Sequence, residues 1–207
     1  GVYGVKDKDA VAKTLDSVGL NDHERVLTRS LSVGWRQRLA LGIALVHSPR
    51  LLFLDEPTSG VDPLARREFW ELIYQLAAGG VTIFTTTHYM DEAEYCHRVG
   101  LMRAGKLLAF DTPTALKVAT IQGDAWNITS AVISQTAAAL KELPGCVRVS
   151  LQGDQVHLLT GHSQTNAASL QTFLTKHGVS DAVIESSEIT LEDVFMHLTH
   201  GSLREPI

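Results

Sequence analysis

The chain has 207 residues, 44% hydrophobic and 20% charged, with a formal net charge of -5. A compact fold of that length buries roughly 70% of its extended surface, which predicts one or two domains with real cores, and the acidic balance excludes an electrostatic case for binding nucleic acid or acidic lipid. No apolar run reaches the ~20 residues that cross a bilayer, so membrane contact is expected only through a partner, and Cys96 and Cys146 stand in no metal-binding or redox spacing, which predicts two free thiols in a reducing cytoplasm.

Residues 5–20 carry Val11, Leu15 and Val18 at helical spacing, with Gly19 as a stop. Ser32 is placed to cap a helix that runs to about Ser48, where Pro49 ends it. Leu51–Leu54 is a continuous apolar run, the pattern of a parallel strand buried on both faces. Asp62-Pro63 is a cap followed by proline at the first helical position. That helix continues through Phe69, Leu72, Ile73 and Leu76 to Gly79-Gly80. Val81–Thr87, rich in β-branched residues, predicts a second buried strand, followed by a short acidic helix around Asp91–Glu94. Val99–Met102 and Leu107–Phe110 flank Ala104-Gly105 as a hairpin, and Pro113 starts another helix.

The character of the chain changes at 121–124. The remainder scans as strand (125–129), helix (132–143), strand (146–151), strand (155–160), helix (164–177) and strand (179–185), with Trp126, Val147, Val149, Val156, Leu158 and Phe173 as core positions. The order βαββαβ is the ferredoxin-like pattern. A last helix, 191–199, opens at Thr190-Leu191-Glu192-Asp193, close to a capping box. The predicted domains are therefore residues 1–120 and residues 124–207.

Three places carry chemistry. A helix N-terminus attracts anions; Ser32 adds a hydroxyl to one, and Gly34 permits close approach of backbone to a phosphate. Asp55 and Glu56 end the first strand at its carboxyl edge, where ligands of open α/β sheets bind. An aspartate there can hold Mg²⁺ and a neighbouring glutamate can polarise an attacking water. His88, past the end of the second strand, can donate to a terminal phosphate or position water. His197 and His200 share a helix face, read as a solvated face rather than a zinc site. No glycine-rich loop ending in Gly-Lys-Ser or Gly-Lys-Thr occurs in the 207 residues.

Taken in order, these motifs resemble the nucleotide-binding subunits of ABC transporters, over about residues 1–118. Leu31–Gln37 matches the signature loop, Leu51–Glu56 the Walker B strand, Ser59-Gly60-Val61-Asp62 the D-loop and His88 the switch histidine. Thr86–Glu94 and Leu191-Glu192-Asp193-Val194-Phe195 look like the branch serving drug and polysaccharide export. The resemblance implies an α/β fold: part of a P-loop NTPase domain followed by a small ferredoxin-like α+β domain. It implies a dimer, a homodimer in the simplest case, clamping ATP and Mg²⁺ between subunits. Leu31, Ser32, Val33, Gly34 and Gln37 would meet the nucleotide across the dimer, and Asp55 would hold the metal. Glu56 would be the general base and His88 the switch, while Ser59, Gly60 and Asp62 would link the two sites. Transmembrane permease subunits would be the partners, at the cytoplasmic face of the plasma membrane.

Two departures stand out. Val33 replaces the first of two usual signature glycines and Trp35 replaces a frequent glutamine; Val33 adds bulk beside the phosphate path and is expected to weaken this half-site or make it asymmetric. The phosphate loop, its lysine, the adenine-stacking aromatic and the glutamine loop are absent from these residues, and the phosphate loop is expected upstream together with strands beside 51–54 and 81–87. Without those strands an apolar sheet face should stand open. A non-transport ABC ATPase acting on the ribosome or DNA, and a non-catalytic interaction module, are the alternatives. Most nucleotide affinity in such sites comes from the phosphate loop. Residues 1–207 alone are therefore predicted neither to hydrolyse ATP nor to bind it tightly, and a fluorescent-nucleotide titration that saturates in the micromolar range contradicts this.

Overall fold

The computed structural model describes residues 8–161 and 165–201, which fall into two compact units divided between His88 and Tyr89. Residues 5–7 of the first predicted helix, Gln164 and the side chain of His200 lie outside the described residues.

In the first unit, α1 (Lys8–Ser17) ends as anticipated at Gly19, which adopts a left-handed φ of 70°. Two short 3₁₀ turns, Asn21–His23 and Thr28–Ser30, lead to α2 (Val33–Leu45). β1 (Leu51–Asp55) and β2 (Thr82–Thr86) pair in parallel, with Leu51 opposite Thr82 and Asp55 opposite Thr86. Between them runs α3 (Pro63–Ala78), which packs against β2 and buries Phe69, Trp70, Leu72 and Ile73. The strands are not buried on both faces. Leu52 is buried, whereas Phe53 and Phe84 stand 70% and 58% exposed. They are opposed in register, with ring centroids 5.7 Å apart. Among the described residues α3 covers one side of this pair, so the apolar run alternates in burial.

The second unit begins with α4 (Met90–Ala93) and the hairpin β3 (Val99–Arg103) and β4 (Lys106–Asp111). Ala104 and Gly105 both have positive φ, 49° and 76°, the backbone of a turn whose twist matches the paired strands. α5 (Pro113–Thr120) is capped by the Thr112 hydroxyl. Then follow β5 (Gly123–Thr129), α6 (Ile133–Lys141), β6 (Cys146–Gln152), β7 (Gln155–Gly161), α7 (Ala167–Lys176) and β8 (Val183–Ser187). The sheet order is β6-β7-β5-β8, antiparallel throughout, which is the ferredoxin-like arrangement. β8 starts four residues later than the sequence suggests. Gly178 and Val179 close α7, donating to the Thr175 and Leu174 carbonyls, and Asp181 accepts the Ala131 N–H. Val147, expected in the core, is 43% exposed on the edge strand β6.

A final helix, α8 (Leu191–Gly201), explains why the compact division falls at His88 rather than near residue 121. One face of the sheet packs Ile128, Val156 and Leu158 with Leu140, Leu170 and Leu174 of α6 and α7. On the other side, Leu159 and Ala125 join Leu191 and Val194 of α8 with Ala93, Val99, Leu101, Leu116 and Ile121. Residues 89–125 therefore share a core with the end of the chain. β7, buried from Val156 to Thr160, has packing on both sides. Cys96 and Cys146 are free, as expected; burial raises the pKa of each thiol, for Cys96 with a further push from Glu92. No described helix is long and apolar enough to cross a membrane.

A buried polar cluster lies between β7 and α8. His157 on β7 and Asp193 on α8 are each 2% exposed. His157 Nε2 donates to Asp193 Oδ2 at 3.1 Å, and Nδ1 pairs with the Asn127 side-chain amide at 2.8 Å. The same Oδ2 accepts the Thr190 N–H at 3.0 Å and the Thr190 hydroxyl at 2.8 Å, which closes the predicted capping box in altered form. Burial pushes the Asp193 carboxyl upward, but the bonds from His157 and Thr190 outweigh it and hold the group below its ordinary value. Asp193→Ala, which leaves His157 buried without its partner, should cost about 3 kcal/mol by urea denaturation at neutral pH. Because the folded carboxyl lies below the unfolded one, the wild-type advantage should be complete above about pH 4 and disappear as the pH falls through the lowered value.

Candidate functional site

Ser32 stands at the N-cap of α2, with extended backbone, and its hydroxyl accepts the Trp35 N–H at 3.4 Å. Leu31 is buried and anchors the turn, and Arg36 donates to the Leu31 carbonyl at 2.9 Å. Val33, the first helical residue, is 37% exposed, and Gln37 is half-buried in the second turn. Gly34 has a reason the sequence did not supply. A Cβ there would come within 3.1 Å of Ala65 Cβ and 3.6 Å of Val61 Cγ1, so the space a side chain needs is filled by the start of α3.

The acid pair is built by strand pairing. Thr86 lies opposite Asp55, and its hydroxyl donates to Asp55 Oδ1. The Glu56 N–H is shared between the Thr86 hydroxyl and carbonyl, each at 3.1 Å. Glu56 has φ 42°, a left-handed conformation uncommon outside glycine. Such backbone costs of order 1 kcal/mol and persists where its surroundings enforce it; here both bonds to Thr86 do so. The turn aims the Glu56 carboxylate at His88, with Oε1 to Nδ1 at 3.2 Å. Both side chains are about half-exposed, so the pairing contributes little stability and leaves the carboxylate open to solvent.

Residues 59–62 follow in two overlapping turns. Ser59 N–H bonds the Glu56 carbonyl and Val61 N–H the Thr58 carbonyl, with Thr58 buried and Gly60 at φ 70°. Asp62 caps α3, accepting the Ala65 N–H at 3.0 Å. Asp55, Glu56 and His88 thus form one group with Thr86. Ser32, Val33 and Gly34 form a second, on the turn whose Gly34 abuts Val61 and Ala65. Residues 57–65 run between the two.

Among the described residues no cluster of three or more His, Cys, Asp or Glu could hold a metal ion. Asp55 offers a single carboxylate at the strand edge, partly engaged by Thr86. One carboxylate suits a Mg²⁺ that keeps water and takes its remaining ligands from phosphates, and does not suit an ion resident on protein ligands alone. Thr86 was missed by sequence reading. Its position at the C-terminal end of the second strand, two residues before His88, was the available signal.

The family profile described as ABC transporter matches residues 2–59. Over 120 residues the chain is 50% identical to the probable multidrug ABC transporter ATP-binding protein YbhF of Escherichia coli K12, covering 56% of this chain and 21% of that protein. Over 212 residues it is 31% identical to the linearmycin resistance ATP-binding protein LnrL of Bacillus subtilis 168, covering 99% of this chain and 68% of that protein. The crystal structure of a nucleotide-free ATP-binding cassette from an ABC transporter superposes on 55% of this chain and 47% of its own, with a TM-score of 0.52 at 23% identity, a likeness of fold alone. The chain thus spans about a fifth of YbhF, the shares being those just given. The match to LnrL over nearly the whole of these residues, joined to the family profile, places the chain in the ABC transporter family of ATP-binding proteins.

Proposed function

We propose that residues 1–88 supply one half of an ATP-hydrolysing site in a protein that energises export through a membrane permease. The observation that carries this reading is the Glu56 carboxylate held 3.2 Å from His88 beside Asp55, at the carboxyl edge of a parallel strand pair. A carboxylate so held is open to solvent on one side and can take a proton from an attacking water. His88 orients it in the resting arrangement and can turn to a terminal phosphate when nucleotide is present. Asp55 is the group that would hold Mg²⁺, which supplies charge neutralisation on the phosphates when bound. Thr86 fixes the Asp55 carboxylate, so the donor set is arranged before nucleotide arrives.

Ser32, Gly34 and the amino end of α2 are the parts that meet the nucleotide held by a second subunit, since an N-terminal helix turn favours phosphate. Residues 1–207 hold no Gly-Lys-Ser/Thr sequence, so on this reading they meet a nucleotide whose phosphates other residues grip. Kinship with a multidrug transporter subunit and a linearmycin resistance protein supports export as the direction of transport. Residues 124–187 are an accessory module on this reading, and two copies of the ATPase subunit act with permease subunits at the inner face of the membrane.

In the whole ATPase, Glu56→Gln should abolish steady-state turnover while nucleotide binding survives; retained phosphate release in a coupled assay removes Glu56 from the base role. Thr86→Val should lower turnover about tenfold, as the loss of an outer hydrogen bond to a metal-holding group does. Mg²⁺ titration of the activity should show a raised half-saturation point in that variant.

A further inference from the structure

We propose that Trp35 is the positioning residue of the serine-bearing turn, fixing the direction in which the Ser32 hydroxyl is presented. The cap bond itself is weak, because 3.4 Å lies at the long end of the hydrogen-bond range. Its donor is the Trp35 N–H, so the place of the Trp35 backbone decides where the Ser32 oxygen points. The Trp35 side chain has two close neighbours. The His23 ring lies against it, with centroids 4.3 Å apart and planes inclined 30°. The Arg38 guanidinium lies 5.2 Å from the ring centroid.

Both partners are anchored on other elements. His23 sits in the 3₁₀ turn after α1, where its N–H bonds the Leu20 carbonyl at 2.9 Å and Leu20 is 2% exposed. Asn21 ties the same turn back to Asp16 at 2.6 Å. Arg38 reaches the Val18 carbonyl at 3.3 Å and the Glu68 carboxylate of α3 at 2.7 Å. Gly19 makes room for it, since a Cβ at that position would stand 3.1 Å from Arg38 Nη1. Arg38 therefore joins the end of α1, the ring on α2 and α3, and it delivers that rigidity to Trp35. Gly34 adds the close approach to Ala65 on the opposite side of the same turn. A binding group needs its own rotamer and backbone locked by such surrounding contacts to be held in place. Val33, at the departure from the usual signature, is exposed and takes no part in the clamp.

The positioning claim is tested on the 207-residue chain without nucleotide. Amide hydrogen exchange at Trp35 and Arg36 should accelerate about tenfold in Trp35→Ala, the scale of freeing about one backbone residue. Trp35→Phe, which keeps a ring between His23 and Arg38, should restore most of the protection. His23→Leu keeps the volume but removes the ring contact. It should accelerate the same two amides and serves if Trp35→Ala does not fold. Unchanged exchange at both amides in these variants overturns the proposal.

The consequence for nucleotide rests on the function proposed above and is read separately in the whole ATPase. Trp35→Ala should raise KM for ATP about tenfold with kcat within about twofold, because a loosened turn must be ordered at the binding step. Rescue of KM by Trp35→Phe is expected. A fall in kcat with KM unchanged, or wild-type kinetics, overturns the link to nucleotide. A whole protein devoid of ATP turnover removes the functional reading instead, and the exchange result alone then decides whether Trp35 positions the turn.

Discussion

The parallel pairing of β1 with β2 in a single register is the constraint on which the candidate site depends. Asp55 meets Thr86 only because Leu51 meets Thr82 four residues earlier. Side chains alternate along a strand, so a slip of one residue would send the Thr86 hydroxyl to the other face. The Asp55 carboxylate and the Glu56 N–H would then both lose their partner. The left-handed turn at Glu56, held by those bonds, would have no support. Register is set in turn by the apolar pattern of both strands, with Leu52 buried beneath the pair. The chemistry at the edge is thus written by residues that carry none of it.

The two units treat charge in opposite ways. In the first, Glu56 and His88 meet half-exposed, where such a contact adds little to stability. In the second, His157 and Asp193 meet at 2% exposure with every Asp193 Oδ2 partner supplied. Arg148 adds its charge from 3.7 Å, too far for a hydrogen bond. A buried group of this kind favours the observed seat of α8 on the sheet, because a carboxylate turned away from these donors would lose its bonds. α8 is completed at both ends by charge of the sign its dipole favours. Glu94 accepts the Leu191 N–H at 3.1 Å at the amino end, and Arg103 donates to the Thr199 carbonyl at 2.7 Å near the other.

Local features were legible in the sequence. Ser32 and Asp62 cap the helices they precede, Ala104-Gly105 turns the hairpin, and βαββαβ folds in the ferredoxin-like order. The acid pair ends a strand because an apolar run followed by Asp-Glu-Pro has few other outcomes. Distant pairings were not legible. Thr86 and Asp55 are 31 residues apart, and His157 and Asp193 are 36 apart. Neither pair shows any local period. Gly34 looked suited to a phosphate, and only the approach of α3 reveals its packing role. The division at His88 was equally hidden, since it depends on α8 covering a sheet face that amphipathic pattern alone leaves unassigned.

That covering helix bears on the order in which the chain can fold during synthesis. Residues 93–125 emerge from the ribosome before α8, yet the core they join also needs Leu191 and Val194. β5, the first strand of its sheet, waits as well, for β8 at its flank and β7 on its other side. Closing such long loops is slow compared with forming helices locally. During translation the core of the second unit therefore holds apolar surface open until α8 has been made. A nascent chain arrested between β7 and α8 would therefore expose a half-built core to chaperones and proteases.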